Sequence, residues 1–369
     1  MLLLNNNTQS FLALVRAGLW EKDVQLLPYH DIDWHEVYRL AIEQSVLGLL
    51  LAGLEHSDIK PPQGLLLQWI GEVQQIEQRN KAMNSFVAEL LDGLRKEDVC
   101  CLLVKGQGVA QCYEKPLWRE SGDIDLLLSD EDYKRTKTLL TPLAEEVHEE
   151  NIKNMHLSMN MKGYIVELHG KMPFLLSNRV DRVIDEILDD SLHKGGVMTG
   201  KLEGKDILLP NLDNHIFIVF AHFLHHFFIE GVGLKQICDW CRMLWKYRHE
   251  IDVDLLGIRL HEAGLMSEWK AFASLAVKTL GMPVDAMPFY DEVFKRKGEM
   301  VLRHILKAGN FGQNKDLSYR VKYKGCAYKI VSFWRRLVDF VNFVPIFPLD
   351  APRFFVTYVA GKAELIMML

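Results

Sequence analysis

The spacing of apolar residues divides the chain into three parts. In residues 1–97, apolar side chains recur every three or four positions, which is the spacing of an amphipathic helix. Helices are predicted there over 11–20, 34–54 and 62–94. Pro61 and Pro62 mark a loop before the third helix, because proline cannot donate a helical hydrogen bond. We therefore expect an N-terminal helical region.

Residues 98–210 follow a different pattern, in which short apolar runs with β-branched residues alternate with polar turns. Strands are predicted over 99–104, 123–128, 155–161 and 164–169. Helices are predicted over 130–143 and 179–190. Lys162-Gly163 has the composition of a two-residue hairpin turn, and 195–209 suggests a second hairpin with Gly204 at its turn. This part is expected to form a small mixed sheet with helices.

Residues 211–369 return to helical spacing, with helices predicted over 212–229 and 234–247 and a further pair within 254–280. The whole pattern predicts an α+β fold, in which a small central sheet is flanked by N- and C-terminal helical regions. A chain of 369 residues that is 49% hydrophobic is long enough to bury more than one core.

Composition narrows the classes of function. Charged residues make up 25% of the chain and the net charge is -6. This balance excludes a wholly disordered chain and provides no overall attraction to nucleic acid or to an anionic membrane. No apolar run reaches the ~18 residues that a spanning helix needs, and residues 1–11 lack the basic segment of a signal peptide. We expect a cytoplasmic protein with no membrane partner.

Positive charge is concentrated in residues 295–336, where twelve Lys or Arg face two acids, Glu299 and Asp316. Aromatic residues lie among these cations: Tyr319, Tyr323, Tyr328, Phe333 and Trp334. Such a face could hold RNA or the phosphates of an NTP. A solvated helical face whose aromatic residues belong to the core is the favoured interpretation, so nucleic acid is a possible partner but not the favoured one.

Two carboxylates, Asp123 and Asp125, stand two positions apart in a predicted strand. Side chains at this spacing point to one face, where their charges repel unless a cation lies between them. Glu167, in the strand predicted over 164–169, is a third carboxylate that a neighbouring strand could bring to the same place. Three such groups match the needs of two Mg²⁺ ions at a phosphoryl-transfer site.

Groups suited to phosphate lie close to these acids in the sequence. Lys105-Gly106 ends the strand predicted over 99–104, where a glycine turn could present backbone N–H groups to phosphate oxygens. Arg119 lies four residues before Asp123 and carries a planar fork that suits phosphate. Gly122 would let a ligand approach the backbone.

Together these residues form an ordered pattern: Leu103-Val104-Lys105-Gly106, then Arg119, then Gly122-Asp123-Ile124-Asp125, then Val166-Glu167-Leu168-His169. The pattern resembles the uncharacterised bacterial nucleotidyltransferase family of the DNA polymerase β superfamily, its fifth NTP-transferase group. The likeness covers about residues 65–250 and includes a histidine-rich helix and the segment 234–239. Many superfamily members have glycine-serine where this chain has Lys105-Gly106, so a serine contact to phosphate is absent.

The resemblance implies a polymerase-β-like sheet and the transfer of a nucleoside monophosphate from an NTP, with ATP expected, to a hydroxyl or amine acceptor. It implies that Asp123 and Asp125 hold two divalent cations, Mg²⁺ or Mn²⁺, and that Glu167 completes the metal site. Nucleotide contacts are expected from four residues of the motif: Lys105, Gly106, Arg119 and Gly122.

Four histidines lie on the helix predicted over 212–229: His215, His222, His225 and His226. His222 and His226 are four residues apart and therefore share a helix face. They are candidates for the acceptor side of the site, together with His169, which follows Glu167 by two positions. Metal binding by the helical pair and simple packing are the alternatives.

Two other functions remain open at this point. One is a toxin-type nucleotidyltransferase that modifies tRNA or protein, which would use the basic stretch. The other is a non-catalytic NTP-binding or scaffold protein that keeps the fold. The presence of Asp123, Asp125 and Glu167 together disfavours the second, because a site without a cation gains nothing from three carboxylates that repel one another.

Overall fold

A computed structural model describes residues 4–316, 318, 322 and 324–367 of the protein. The N-terminal helices are α1 (Asn6–Trp20), α2 (Trp34–Glu43), α3 (Leu47–Glu55) and α4 (Gln63–Lys96). The stretch predicted as one helix over 34–54 is therefore two. The break falls at Ser45, whose φ of 52° belongs to the left-handed region and cannot continue a right-handed helix.

The central part contains the strands β1 (Cys101–Val104), β2 (Ile124–Leu128), β3 (Glu146–Val147), β4 (His156–Met161) and β5 (Tyr164–His169). Within the described residues they form one mixed sheet in the order β1-β2-β5-β4-β3. The helices of this part are α5 (Gly106–Ala110), α6 (Asp130–Leu140) and α7 (Asn178–His193). A separate hairpin consists of β6 (Val197–Leu202) and β7 (Lys205–Pro210). The mixed α+β fold expected from the sequence is confirmed.

Both hairpins turn as their sequences predict. Lys162-Gly163 has φ values of 50° and 76°, and Glu203-Gly204 has 48° and 77°. Two successive positive φ angles define the tight turn whose twist matches that of the adjoining antiparallel strands.

The register of the sheet decides which side chains meet. Strands β2 and β5 are parallel, with Asp125 opposite Glu167. Strands β5 and β4 are antiparallel, with His169 opposite His156. Since side chains alternate along a strand, these four polar residues lie on one face of the sheet.

The two faces of the sheet belong to two different hydrophobic clusters. The face opposite the polar residues, which includes Leu126 and Leu168, packs with the C-terminal half of α4, with α6 and with the β6–β7 hairpin. The polar face contributes Val104 and Leu127 to a larger cluster built mainly from helices. The sheet is thus covered on both sides, and its polar face looks into the helical part of the molecule.

The C-terminal helices are α8 (Leu212–Ile229), α9 (Leu234–Lys246), α10 (Val253–Ala263), α11 (Met266–Lys278), α12 (Lys295–Ala308), α13 (Gly325–Phe343) and α14 (Asp350–Met367). They share the larger cluster with α1 to α4. Polar contacts join the same two regions: Trp20 donates to the Leu280 carbonyl at 2.5 Å, and Arg242 donates to the Leu19 carbonyl at 2.9 Å. The boundaries at residues 97 and 210 remain predictions, although the helices on either side of them pack together.

A buried carboxyl in α11 lies near the start of the last helix at an energetic cost. Glu268 in α11 is completely buried, and neither of its side-chain oxygens has a hydrogen-bond partner. Burial first, and the neighbouring Asp350 second, raise the pKa of Glu268 well above its ordinary value, although Lys297 opposes the shift. Asp350 begins α14.

We predict that Glu268→Gln stabilises the protein at neutral pH by about 1 kcal/mol or more, since a tenfold change in the proton affinity of a carboxyl corresponds to ~1.4 kcal/mol. The native state holds the proton of Glu268 more tightly than the unfolded state, so the wild-type stability falls as pH rises above 4.5. The glutamine amide does not titrate, so the variant lacks this pH-dependent loss of stability. Urea unfolding at several pH values measures the difference, which should vanish in acid. A constant difference across pH would contradict the prediction.

Candidate active site

A cleft of about 370 Å³ opens between the polar face of the sheet and helices α8 and α9. Its volume is within the range of small-molecule sites. Asp123, Asp125 and Glu167 line the sheet side, and His222 and Lys235 line the helical side. The three carboxylates of the sheet side thus face nitrogen groups of the two helices across the cleft.

The three carboxylates predicted from the sequence come together in this cleft. One oxygen from each of Asp123, Asp125 and Glu167 lies within 4.8 Å of the others. Asp125 is 1% exposed. Its Oδ1 receives Lys105 Nζ at 2.8 Å and His169 Nε2 at 2.9 Å, while its Oδ2 is buried with no hydrogen-bond partner. A buried carboxylate oxygen without a donor is costly, so this donor set suits a bound cation.

The protonation of the three groups differs with their surroundings. The charge of Asp125 first, and burial second, raise the pKa of Asp123. Burial alone would raise the pKa of Asp125, but Lys105 and His169 lower it below its ordinary value. Glu167 is likewise shifted downward against burial, because His156 and His169 lower its pKa. Asp123 is therefore the carboxyl that repulsion disturbs most and that a cation would relieve most.

Lys105 adopts a left-handed φ of 58° at the end of β1 and begins the turn into α5. Its backbone N–H donates to His215 Nε2 at 3.2 Å. Gly106 follows with φ +44°, and an added Cβ would lie 3.4 Å from the Asp123 carbonyl oxygen. Glycine is needed there because of its backbone angle. The Lys105-Gly106 turn is thereby seated beside Asp123, as the motif suggests.

The contacts of Arg119 differ from the phosphate contacts that the sequence predicted. Its Nε donates to Asp239 Oδ1 and its Nη2 to Asp239 Oδ2, both at 2.7 Å, in a buried bidentate pair. Its Nη1 donates to the Glu120 carbonyl and to Ser121 Oγ, each at 3.2 Å. All three guanidinium nitrogens are occupied within the protein, so the geometry favours a structural role over a phosphate contact.

Gly122 lines the cleft, and a Cβ added there would meet nothing within 4 Å. The space beside this glycine is therefore free for a ligand. Packing within the described residues does not by itself require glycine at this position.

Two lysines that were not predicted from the sequence also line the cleft, Lys171 and Lys235. Within the described part of the chain, neither ammonium has an ion pair. Burial first, and Arg119 second, lower the pKa of Lys235. Lys235 lies in the segment 234–239, which resembles the family, and this resemblance was the feature of the sequence from which Lys235 could have been predicted. Lys171 follows His169 by two positions, and this closeness to the motif could have marked it as a candidate for the cleft.

Two histidines of α8 form a row of close polar contacts that leads away from the carboxylates. His222 Nε2 lies 3.0 Å from Lys105 Nζ and 3.1 Å from His226 Nε2, and His226 Nδ1 lies 3.1 Å from Glu230 Oε2. Burial first, and Lys105 second, lower the pKa of His222 well below its ordinary value, which favours the neutral ring.

The remaining histidines have other positions. His225 contacts the Phe174 carbonyl through Nδ1, and His215 lies behind the Lys105 backbone. In the described residues, the clusters of three or more potential metal ligands involve neither His222 nor His226.

The basic stretch 295–336 is partly neutralised by Asp316 within it and by Asp339 just after it. Lys315 lies 3.1 Å from Asp339, and Arg335 lies 2.9 Å from Asp316. Tyr319, Arg320 and Tyr323 fall outside the described residues. This pairing reduces the positive charge available to a polyanion.

The Arg119–Asp239 pair provides a test of the role of Arg119. We predict that Arg119→Ala and Asp239→Ala each lower the free energy of unfolding by about 3–5 kcal/mol, because each leaves a buried charge without its partner. The double variant should lose much less than the sum of the single losses. Urea unfolding measures all three. Wild-type stability in Arg119→Ala, combined with weakened nucleotide binding, would instead support the phosphate contact.

None of the helices in the described residues combines the length and apolar character that crossing a membrane requires.

Comparison with known proteins identifies a family for the chain. A sequence profile for a family described as an uncharacterised nucleotidyltransferase matches residues 30–281, which include the carboxylates, the Lys105-Gly106 turn and the histidine-rich helix. No curated protein and no solved structure matched the chain. The match spans well over half of the 369 residues, so the chain belongs to this uncharacterised nucleotidyltransferase family.

Proposed function

We propose that this protein moves a nucleoside monophosphate from an NTP, ATP being the expected donor, to a hydroxyl or amine acceptor in a reaction that depends on Mg²⁺ or Mn²⁺. One observation carries the proposal. Asp123, Asp125 and Glu167 lie within 4.8 Å of one another in a cleft, and one oxygen of Asp125 has no hydrogen-bond donor. In a non-catalytic scaffold, the repulsion among the three carboxylates would lower stability without any compensating function.

Asp123, Asp125 and Glu167 would hold the divalent cations. Bound there, the cations supply neutralisation of the phosphate charge and orientation for in-line displacement. The chain itself prepares the position, because Lys105 and His169 keep Asp125 ionised despite its burial.

The triphosphate would be bound by the free cations of the cleft. Lys235 and Lys171 are the lysines that line the cleft without an ion pair among the described residues, so their ammonium groups are available to phosphate oxygens. The Lys105-Gly106 turn and the open space beside Gly122 would receive the phosphates next to Asp123. Arg119 would act indirectly, since Asp239 joins it to the helix that carries Lys235.

The acceptor needs a group that takes its proton as it attacks the α-phosphorus and displaces pyrophosphate. Glu167 is poorly suited, because its two histidine neighbours lower its pKa and weaken it as a base. His226 is better suited, because Glu230 accepts from its Nδ1–H, which leaves the lone pair of its Nε2, 3.1 Å from His222 Nε2, as the basic group. We assign the acceptor's proton to this histidine pair, with His169 lying on the sheet side of the same cleft.

A larger acceptor remains the second candidate. Phe311 lines both the cleft and an adjoining cavity of about 960 Å³ between α8, α12 and α13. Lys307 and Trp334 also line this cavity. A space of this size next to the site would suit the end of a tRNA or a protein segment, which is the acceptor of the toxin-type alternative.

A transfer screen tests the proposal. Each NTP, radiolabelled on its α-phosphate, is incubated with the protein and Mg²⁺ or Mn²⁺ in the presence of small hydroxyl and amine compounds, RNA or the protein alone. The expected result is label in one acceptor class with release of pyrophosphate. Binding of NTP to the wild type without label in any class, under either cation, would favour a non-catalytic NTP-binding protein.

We predict opposite effects on stability from two similar substitutions. Asp123→Asn should abolish cation-dependent transfer while leaving the melting temperature unchanged or higher, because it removes a repelling charge. Asp125→Asn should also abolish transfer but should cost about 3 kcal/mol or more, because Lys105 and His169 lose their buried partner. Thermal unfolding and a transfer assay measure both variants. A large stability loss in Asp123→Asn would point to a structural role for that residue.

The lowered pKa of Lys235 predicts how the affinity for nucleotide changes with pH. Its lowered pKa means that the ammonium loses its proton below pH 10.5, and nucleotide affinity should fall as pH rises through that lowered value. Lys235→Arg keeps its charge and should hold an affinity about tenfold higher than the wild type at the alkaline end. Titration with a non-hydrolysable ATP analogue measures this. Lys171→Arg, the matched change at an exposed lysine, should not shift the profile, and coincident wild-type and Lys235→Arg profiles would contradict the assignment.

A further inference from the structure

Two histidines lie beside Glu167 on the polar face of the sheet, and one of them, His169, also donates from Nε2 to Asp125 Oδ1 at 2.9 Å. Strand β5 stands between β2 and β4 in the sheet, and His156 of β4 is opposite His169 of β5. The His156 and His169 Nε2 atoms lie 3.4 and 3.5 Å from Glu167 Oε2. One ligand atom from each of the three residues lies within 4.8 Å of the others. The carboxylate cluster is therefore continued by a second cluster that contains nitrogen.

The two distances separate metal ligation from simple ion pairing. A charge-assisted hydrogen bond from an imidazole to a carboxylate is about 2.7–2.9 Å long. Tetrahedral ligation with bonds of about 2.0–2.1 Å places neighbouring ligand atoms about 3.3–3.4 Å apart. The observed 3.4 and 3.5 Å fit the second arrangement.

The histidine rings are also held in place by the fold. They stack with centroids 4.8 Å apart and planes inclined by 30°. Both stand on paired strands, which fix side-chain positions more firmly than a loop does. Binding an ion would leave the strands in place, but His169 Nε2 would lose the proton that it donates to Asp125 Oδ1, so the ion would replace that hydrogen bond as the neighbouring positive charge.

We propose that His156, Glu167 and His169 form a binding site for a first-row transition-metal dication such as Zn²⁺ or Mn²⁺. This site is distinct from the cation position of Asp123 and Asp125 and adjoins it through Glu167. Imidazole nitrogen favours transition metals, whereas Mg²⁺ prefers oxygen ligands alone. Three protein ligands leave a coordination position for water or a phosphate oxygen. The proposal goes beyond the transfer reaction and does not require it.

The first experiment uses the unaltered chain. The protein is freed of metal with a chelator, given a large excess of Mg²⁺ to fill the carboxylate position, loaded with one equivalent of Mn²⁺, and studied by electron spin-echo envelope modulation. Histidine ligation should give modulation from ¹⁴N, and its absence would overturn the proposal. No variant has to fold for this measurement.

The second experiment compares affinities for Zn²⁺ alone by competition with a chromophoric chelator. His156→Ala and His169→Ala should each weaken Zn²⁺ binding at least about tenfold, because each removes a ligand from a three-ligand site. Asp123→Asn should leave Zn²⁺ binding intact while removing transfer, so the failure of this proposal and the failure of the proposed function are distinguishable. Circular dichroism checks the fold of each variant.

His226→Ala provides the matched control, since it removes a cleft histidine that lies on α8 and not on the sheet. It should bind Zn²⁺ like the wild type. Loss of Zn²⁺ binding in His226→Ala with retention in His156→Ala would transfer the site to the helical histidines and overturn the proposal. Loss in Asp123→Asn with retention in both sheet variants would leave a site of carboxylates alone, which overturns it equally.

Discussion

The buried charge of Asp125 is the constraint on which the cleft depends. A carboxylate that is 1% exposed would lose its charge unless other groups replaced its hydration. Lys105 and His169 do this at one oxygen, and the other oxygen has no donor. Each partner comes from a different place: Lys105 from the turn after β1 and His169 from β5. Keeping one carboxylate ionised therefore fixes the relative positions of three chain segments.

A second buried ion pair, Arg119–Asp239, fixes the position of the helices relative to the sheet. Arg119 precedes β2 and binds Asp239 of α9 through two hydrogen bonds of 2.7 Å. Tyr113 also donates to Asp239, at 2.7 Å. Since Lys235 lies one turn before Asp239 on that helix, the pair sets where its ammonium stands relative to Asp123. Arg119 can thus matter for nucleotide binding without touching the nucleotide.

The sequence was sufficient for local geometry and insufficient for distant pairing. Strand periodicity predicted that Asp123 and Asp125 share a face, and the hairpin turns followed from Lys162-Gly163 and Gly204. The parallel pairing that sets Asp125 against Glu167 depends on how the whole chain packs, so the strand pattern offered Glu167 as a candidate neighbour and could not predict the register. Arg119 illustrates the limit. Its partner Asp239 lies 120 residues away, and no local pattern distinguishes an arginine that binds phosphate from one that binds such a carboxylate.

The two walls of the cleft differ in charge, and this difference constrains how a nucleotide can lie in it. The sheet wall carries Asp123, Asp125 and Glu167, which repel phosphate unless cations cover them. The helical wall carries Lys235, whose ammonium is costly to keep charged in the absence of an anion because burial lowers its pKa. A triphosphate with its cations compensates the charges of both walls. Cations alone compensate only the carboxylates, and a triphosphate alone compensates only the ammonium of Lys235. Cation and nucleotide should therefore bind with positive coupling, each raising the affinity of the protein for the other by the same factor.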